Sequence, residues 1–459
     1  MPSSKGGLPA AFEPGLGHPA RGGWSRSGQR GSAILGSVQE DPRSTEAPGR
    51  LSWLTPAAGA IGVASFLSDV GHEVPTSLLP SFLTATLGAP ASALGLIEGV
   101  ADGVAGVAKL AGGALADDPR RRRATAIGGY TTTAVLSSAI GLATTPLQVG
   151  ILRTGAWAAR GIRGPSRNAL LADVVEPQAY GRAYGFERAM DNFGAIVGPL
   201  LALLLVSLVG VRQAILISIV PGLLAALAIF YAARHVARPT SREHRPIRLQ
   251  VRPVLKGGLG RLFIGMGAFE FGNAAATLMI LRATELLTPS RGEHDAAQIA
   301  LLLYVGYNVA GTLASLPGGH LSDRRSAIHS LVVGAGAFLV AYLIFASAGP
   351  GILVLLVAFV LAGIGIGFAE TAEASAVATM TDESVRGSAF GLLAGLQSLG
   401  NLAASAIAGI LWTALSPTVA FVWLAAWMVI ALAAYLWTTR RPLASPPADP
   451  TQPQLGQRT

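Results

Sequence analysis

No cysteine occurs in the 459 residues of this chain. That excludes a disulfide framework, thiolate metal sites and thiol nucleophiles. Charge is scarce as well: Asp, Glu, Lys and Arg make up 13% of the residues, against roughly a quarter in an ordinary soluble domain. A phosphate-binding glycine loop after a strand, a histidine pair at metal spacing and a nucleophile motif are all missing, so neither an enzyme, a resident cofactor nor a metal is expected. The first fifty or so residues lack any apolar run and are rich in Gly, Pro, Ser and Arg. They read as a disordered leader and not as a signal peptide.

What is abundant is apolar sequence, 51% of the chain, and it comes in runs of about 20 residues, long enough to cross a bilayer core as helices. Runs fall at 57–80, 93–116, 124–143, 147–173, 183–208 and 212–234, and again at 262–286, 297–321, 328–348, 350–379, 388–414 and 417–437. The expected organisation is a leader over 1–54, a six-helix bundle over 55–235 and a basic linker over 236–260. A second six-helix bundle over 261–438 and a disordered tail over 439–459 complete it.

A formal charge of +9 suits either a nucleic-acid partner or a membrane topology, and its placement decides. Arg120 to Arg123 follow the second run. The linker with Arg238, Arg242, Arg245, Arg248, Arg252 and Lys256 follows the sixth, Arg324 and Arg325 the eighth, and Arg440 and Arg441 the twelfth. All these loops fall on one side, so the basic residues mark topology and no nucleic acid is expected. An excess of Lys and Arg marks the cytoplasmic side, which puts both termini inside the cell inner membrane.

The chain also repeats itself. Gly113-Ala-Leu-Ala-Asp117 recurs 206 positions later as Gly319-His-Leu-Ser-Asp323. The same offset pairs Gly181-Arg-Ala-Tyr-Gly185 with Gly387-Ser-Ala-Phe-Gly391, and Gly194 with Gly400. Two parallel six-helix halves imply a substrate path between them.

These motifs resemble the major facilitator superfamily over about residues 55 to 438. The family's gate loop reads Gly, three residues, Asp and a basic stretch, here Gly113 to Asp117 followed by Arg120 to Arg123, with Arg122 and Arg123 as gate residues. Asp118 and Arg120 stand where the family usually has a basic residue and a glycine. Gly319 to Asp323 and Arg324 form the second copy. Gly194-Ala-Ile-Val-Gly198-Pro199 looks like the motif of the drug:proton antiporter branch, with Ala202 in place of a common glycine. Ordinary close packing of small residues is the other reading of it.

The resemblance implies an all-α polytopic protein of twelve transmembrane helices, with the first, fourth, seventh and tenth lining the path. Charges deep in such helices should meet a partner or a cavity. Asp69, His72 and Glu73 share one face of the first helix, and two neighbouring carboxylates repel when both are ionised, which suits a site that takes up a proton. They can equally be salt-bridge partners for the fourth-helix stripe of Arg153, Arg160, Arg163 and Arg167, which could also hold an anion. Arg167 and Asp173 are expected at the gate with Asp117 and Arg182. Glu270 and Asn273 on the seventh helix, and Glu370 and Glu373 on the tenth, can bind a cation, take a proton or bridge the halves. Glu98, Asp102 and Lys109 on the second helix read as interface charges, and Asp191 as a gating candidate beside Arg188.

The function so implied is a secondary active transporter working as a monomer by alternating access, with protons as the coupling ion and efflux of a small organic molecule or drug as the leading reading. Uptake of an anionic or zwitterionic nutrient is the main alternative. A sensor that kept the fold but lost transport is another.

Overall fold

The computed structural model describes residues 52–236, 247–347, 349 and 351–439. The leader as far as residue 51, the linker arginines Arg238, Arg242 and Arg245, and the tail with Arg440 and Arg441 lie outside the described residues. Every regular element among the described residues is helical. They run α1 (Pro56–Ser81), α2 (Ala91–Ala116), α3 (Pro119–Ala139), α4 (Pro146–Val174), α5 (Tyr180–Val209), α6 (Val211–Ile217) and α7 (Ile219–His235). After α8 (Val251–Val254) come α9 (Gly257–Gly272), α10 (Ala276–Arg291), α11 (Glu293–Arg324), α12 (Ala327–Ser347), α13 (Ile352–Met380), α14 (Arg386–Ala414) and α15 (Pro417–Thr439).

Because α6 and α7 are two pieces of one pass, and α9 and α10 of another, the described helices make twelve passes. Eight of these are long and apolar enough to cross a membrane by length and composition alone. The other four are α1 to α4, of 26, 26, 21 and 29 residues, and they hold most of the charges singled out in the first half.

Local chemistry sets the ends. Thr55 caps α1 by accepting from the Ala58 amide, and Thr145 and Gln148 form a capping box on α4, each ahead of a proline in the first turn. Gly210 and Gly292, at φ 78° and 79°, make the tight turns into α6 and α11 that a side chain would strain. Two features differ from the sequence expectation. Arg120 to Arg123 lie in the first turns of α3 and not in a loop, because Pro119 and the Asp118 cap, which accepts from the Arg120 amide, start the helix early. The seventh run is interrupted at 273–275, where α14 meets the freed backbone: Asn401 donates to the Asn273 carbonyl (2.8 Å) and the Ala275 amide donates to Ser405 Oγ (2.8 Å).

Helix α1 packs on α5 and α7, and α4 packs on α2 and α3, while α13 packs on α11 and α12, and α15 on α9 and α12. These two groups meet along α2 with α14 and along α5 with α11. Glycines measure how closely. Gly113, Gly106 and Gly99 stand seven residues apart, on one face of α2 at steps of about 10 Å. A Cβ on Gly113 would lie 2.7 Å from Gly391 Cα, one on Gly106 would lie 3.8 Å from Ser398 Cβ, and one on Gly99 would meet nothing within 4 Å. On the other seam, Cβ atoms on Gly181 and Gly185 would come within 2.2 and 2.4 Å of the Gly319 and Ser315 carbonyl oxygens. The groups therefore touch backbone to backbone at the end that carries Asp117 and Asp323, here called the basic face, and diverge away from it.

Propping open one seam should open the other. In Gly181→Ala the added methyl strains the closed basic face by roughly 1–3 kcal/mol, which moves a two-state equilibrium about 5- to 150-fold. Since the chain has no cysteine, a single Ala116→Cys reporter, buried at the α2 seam, is expected to label several-fold faster with Gly181→Ala than without it.

Candidate functional site

The basic face is locked by two reciprocal carboxylate contacts. Asp117, at the end of α2, accepts from the Ser388 amide (2.7 Å), from the Ser388 hydroxyl and from Gln250 Nε2 (3.4 Å). Burial pushes the Asp117 carboxyl above its ordinary value, while these hydrogen bonds and the nearby Arg122 pull the other way. Asp323, near the end of α11, accepts from the Gly181 amide (2.6 Å), the Arg182 amide (3.0 Å) and Arg182 Nε (2.7 Å). Each carboxylate thus sits on the N-terminal turn of a helix from the opposite group, where free amides favour an anion. Asp173 joins the same face through Arg122 (2.5 Å) on α3 and Arg386 (3.6 Å) on α14, and Arg123 donates to the Val236 carbonyl (2.5 Å). Arg324 is exposed at the end of α11. The structure places Arg167 elsewhere, deeper in the bundle.

Deeper in, the charges of α1, α4 and α5 form one network. Arg160 approaches Asp69 at 3.3 Å and touches His72 Nε2. His72 lies 3.3 Å from Asp69 and 3.2 Å from Glu73, so one ring stands between the two carboxylates. The glycines of the α5 motif seat these acids: a Cβ on Gly194 would lie 2.8 Å from Asp69 Cβ, and one on Gly198 would lie 2.4 Å from Glu73 Cβ. Arg167 pairs with Glu187 (2.8 Å) and Asp191 (3.3 Å), and Ser65 donates to Glu187 (2.7 Å). Arg188 contacts Asp191 at 3.1 Å and, across the two groups, Glu370 at 3.2 Å.

Other fourth-helix arginines are held differently. Arg153 pairs with Glu98 (3.0 Å), donates to Thr76 Oγ1 (2.9 Å) and lies 3.4 Å over the Trp157 ring. Arg163 donates to Ser68 Oγ (2.6 Å) and stacks 3.9 Å over Tyr130. Asp102 accepts from Trp157 Nε1 (2.9 Å), and Lys109 reaches across to Ser398 Oγ (2.5 Å). A cavity of about 10 Å³ behind His72 is lined by Ser68, Tyr130, Thr133 and Ser137. It is about the size of one water molecule, and the hydroxyls of Tyr130 and Ser137 are buried without a protein partner. In the second group, Asn273 donates to Glu270 (3.1 Å) and Gln397 to Glu373 (2.8 Å).

The structure thus assembles Asp69, His72, Glu73 and Arg160 in one place, and Glu270, Asn273 and Glu373 in another, with Glu370 joined to Arg188. Reading the sequence missed Ser388, Gln250, Arg386, Trp157, Tyr130 and Gln397. For Ser388 a signal existed: the 206-residue repeat carries Arg182 onto Ser388, and each meets an aspartate of the other group.

Replacing Arg167 with methionine leaves the buried Glu187 carboxylate without its guanidinium and Asp191 with Arg188 alone, at a cost of roughly 3–5 kcal/mol. Thermal unfolding of the purified protein in detergent should show that loss as a lower midpoint, and Arg167→Met with Glu187→Gln should recover part of it.

Sequence comparison agrees with the fold. The chain is 29% identical over 368 residues to an uncharacterised MFS-type transporter of Methanocaldococcus jannaschii, covering 79% of this chain and 90% of that one. It is 27% identical over 341 residues to an uncharacterised protein of Mycobacterium tuberculosis, covering 72% and 81%. Among solved structures, a bacterial homologue of the iron transporter ferroportin in an outward-facing state superposes with a TM-score of 0.67 at 14% identity, covering 84% of this chain and all of that one. The family description Major Facilitator Superfamily matches residues 61–290 and 262–456. The chain belongs to the major facilitator superfamily, as a multi-pass membrane transporter.

Proposed function

We propose that the protein is a proton-coupled secondary transporter that exports a small organic solute by alternating access, with Asp69, His72, Glu73 and Arg160 as its coupling site. The observation that carries this reading is one imidazole standing between two carboxylates, with the Arg160 guanidinium held by that imidazole and by Asp69. A proton arriving at Asp69 or Glu73 weakens the hold on Arg160, and a solute that engages Arg160 has the same effect from the other side. Proton and solute are then linked through one side chain. Side-chain exposures of 33% for Arg160 and 24% for Glu73 keep both reachable from the gap between the two groups.

Export is favoured because Gly194 and Gly198, from the motif that resembles the antiporter branch, back the two acids directly. With the basic face on the cytoplasmic side of the inner membrane, as its arginines suggest, the described conformation is closed inward and open outward. That is the state named for the ferroportin homologue of the same fold. The whole path lies in one chain, which suits a working monomer. Arg160's exposure favours a second reading, uptake of an anionic or zwitterionic solute.

Flux of labelled solutes in inverted vesicles with an imposed proton gradient tests this. We expect gradient-dependent accumulation of at least one solute by the wild type, abolished by Asp69→Asn or Glu73→Gln. Accumulation that survives both substitutions removes the coupling role of the pair. Accumulation only in right-side-out vesicles reverses the direction. Absence of flux in either orientation sides with a sensor.

A further inference from the structure

The second group contains an acidic pair that the coupling cluster does not use. Glu270 on α9 is 1% exposed and Glu373 on α13 is 0% exposed. Each has one carboxyl oxygen satisfied by an amide, from Asn273 and Gln397 respectively, and the other, Oε1, without any partner. The two buried carboxyls are neighbours, close enough for each to act on the charge of the other. Between two ionised carboxylates that approach is acceptor against acceptor and repulsive; it becomes a hydrogen bond when one of them carries a proton.

Two cations approach the pair, and neither is bonded to it. Lys109 on α2 is committed to Ser398 (2.5 Å), and Arg188 on α5 to Asp191 and Glu370. Glu370 on α13 adds negative charge nearby. The remaining titratable groups facing the pair are phenols: Tyr307 on α11, Tyr342 on α12 and Tyr435 on α15. Tyr435 is 0% exposed and its hydroxyl has no partner, so it leaves the two unmatched oxygens unsatisfied. A metal ion is a poorer occupant. Among the described residues no cluster of three or more His, Cys, Asp or Glu is placed to hold one, and Asn273 and Gln397 present N–H donors to the acids.

The internal repeat gives the pair a meaning. Gly194 backs Asp69, and its repeat partner Gly400 backs Glu270, whose Cβ would lie 2.5 Å from a Cβ on that glycine. Both halves therefore seat an acid of their first pass on a glycine of their fifth. The first half meets its acid with Arg160, whereas among the described residues no arginine is paired with Glu270 or Glu373.

We propose that Glu270 and Glu373 form a second proton-carrying site, one proton shared between two carboxyl groups and exchanged with water when the halves part. The proton enters as an O–H bond on one carboxyl, is hydrogen-bonded to the other, and leaves to water on the opposite side. This rests on the proton-coupled reading above and adds one proton to each transport cycle.

Infrared difference spectroscopy of the full-length protein in nanodiscs reads the shared proton directly. At neutral pH a protonated-carboxyl C=O band should be present in the wild type and in Asp69→Asn and absent from Glu270→Gln with Glu373→Gln. Gln397→Leu, which removes a donor but neither acid, should shift the band without abolishing it, so the test does not depend on the double variant folding. A band untouched by both changes overturns the proposal. In proteoliposomes the proton-to-solute ratio, from the reversal of flux, should fall by one in the double variant. An unchanged ratio overturns the carrying role even if the band is lost. If wild-type flux ignores the proton gradient altogether, the coupled reading fails by itself, and the infrared band alone decides whether the pair holds a proton.

Discussion

A guanidinium or carboxylate buried in a membrane bundle must be met by an opposite charge, by water or by a proton, and the inner surface of this protein is arranged around that requirement. Arg167 is met by two acids at once, Glu187 and Asp191, and by Ser65, which accepts from Arg167 and donates to Glu187. From Asp191 the network passes through Arg188 to Glu370, so the only path of charge between the two groups at this depth among the described residues runs through one arginine. Each ion pair fixes a rotation of its helix, which is why α1, α4 and α5 present their charged faces to one another and their apolar faces outward.

The same requirement explains how charge is divided between the halves. The first half is dense in paired charge, and its first four helices are the ones that length and composition alone do not mark as spans. In the second half α12, α13 and α15 are strongly apolar, and the buried Glu270 and Glu373 are met by the side-chain amides of Asn273 and Gln397. Under a rocking motion of the two halves, the first brings a rigid electrostatic frame and the second a softer wall.

Much of this was readable beforehand. Run lengths located all twelve passes to within a few residues, because bilayer thickness imposes a length that the residue pattern cannot hide. The repeat aligned the two gate motifs, and the acids of α1 and α9 could be singled out because an ionisable group in an apolar run has few explanations. Pairings were another matter. Arg167 reads from the sequence as a gate residue yet pairs with Glu187 and Asp191, since spacing along α4 says which face it occupies and nothing about which helix comes to meet it. The interruption at 273–275 was hidden too, because the serine and asparagine that satisfy its backbone lie more than a hundred residues away on α14. Ser388 and Gln250 carry no charge, and hydroxyls and amides in loops are too common to be noticed until a carboxylate is seen facing them.

The glycine seams have one more consequence, which concerns speed. Interdigitated side chains must change rotamer before two helices can separate, and each such change adds to the barrier. Where Gly113 meets Gly391 and Gly181 meets Gly319, backbone lies against backbone and there are no rotamers to unlock. Separation there asks for the release of the hydrogen bonds and ion pairs of Asp117, Asp323 and Asp173. The seam is thus smooth as well as tight, a contact that holds firmly at rest and can part without a rotamer change at those glycines.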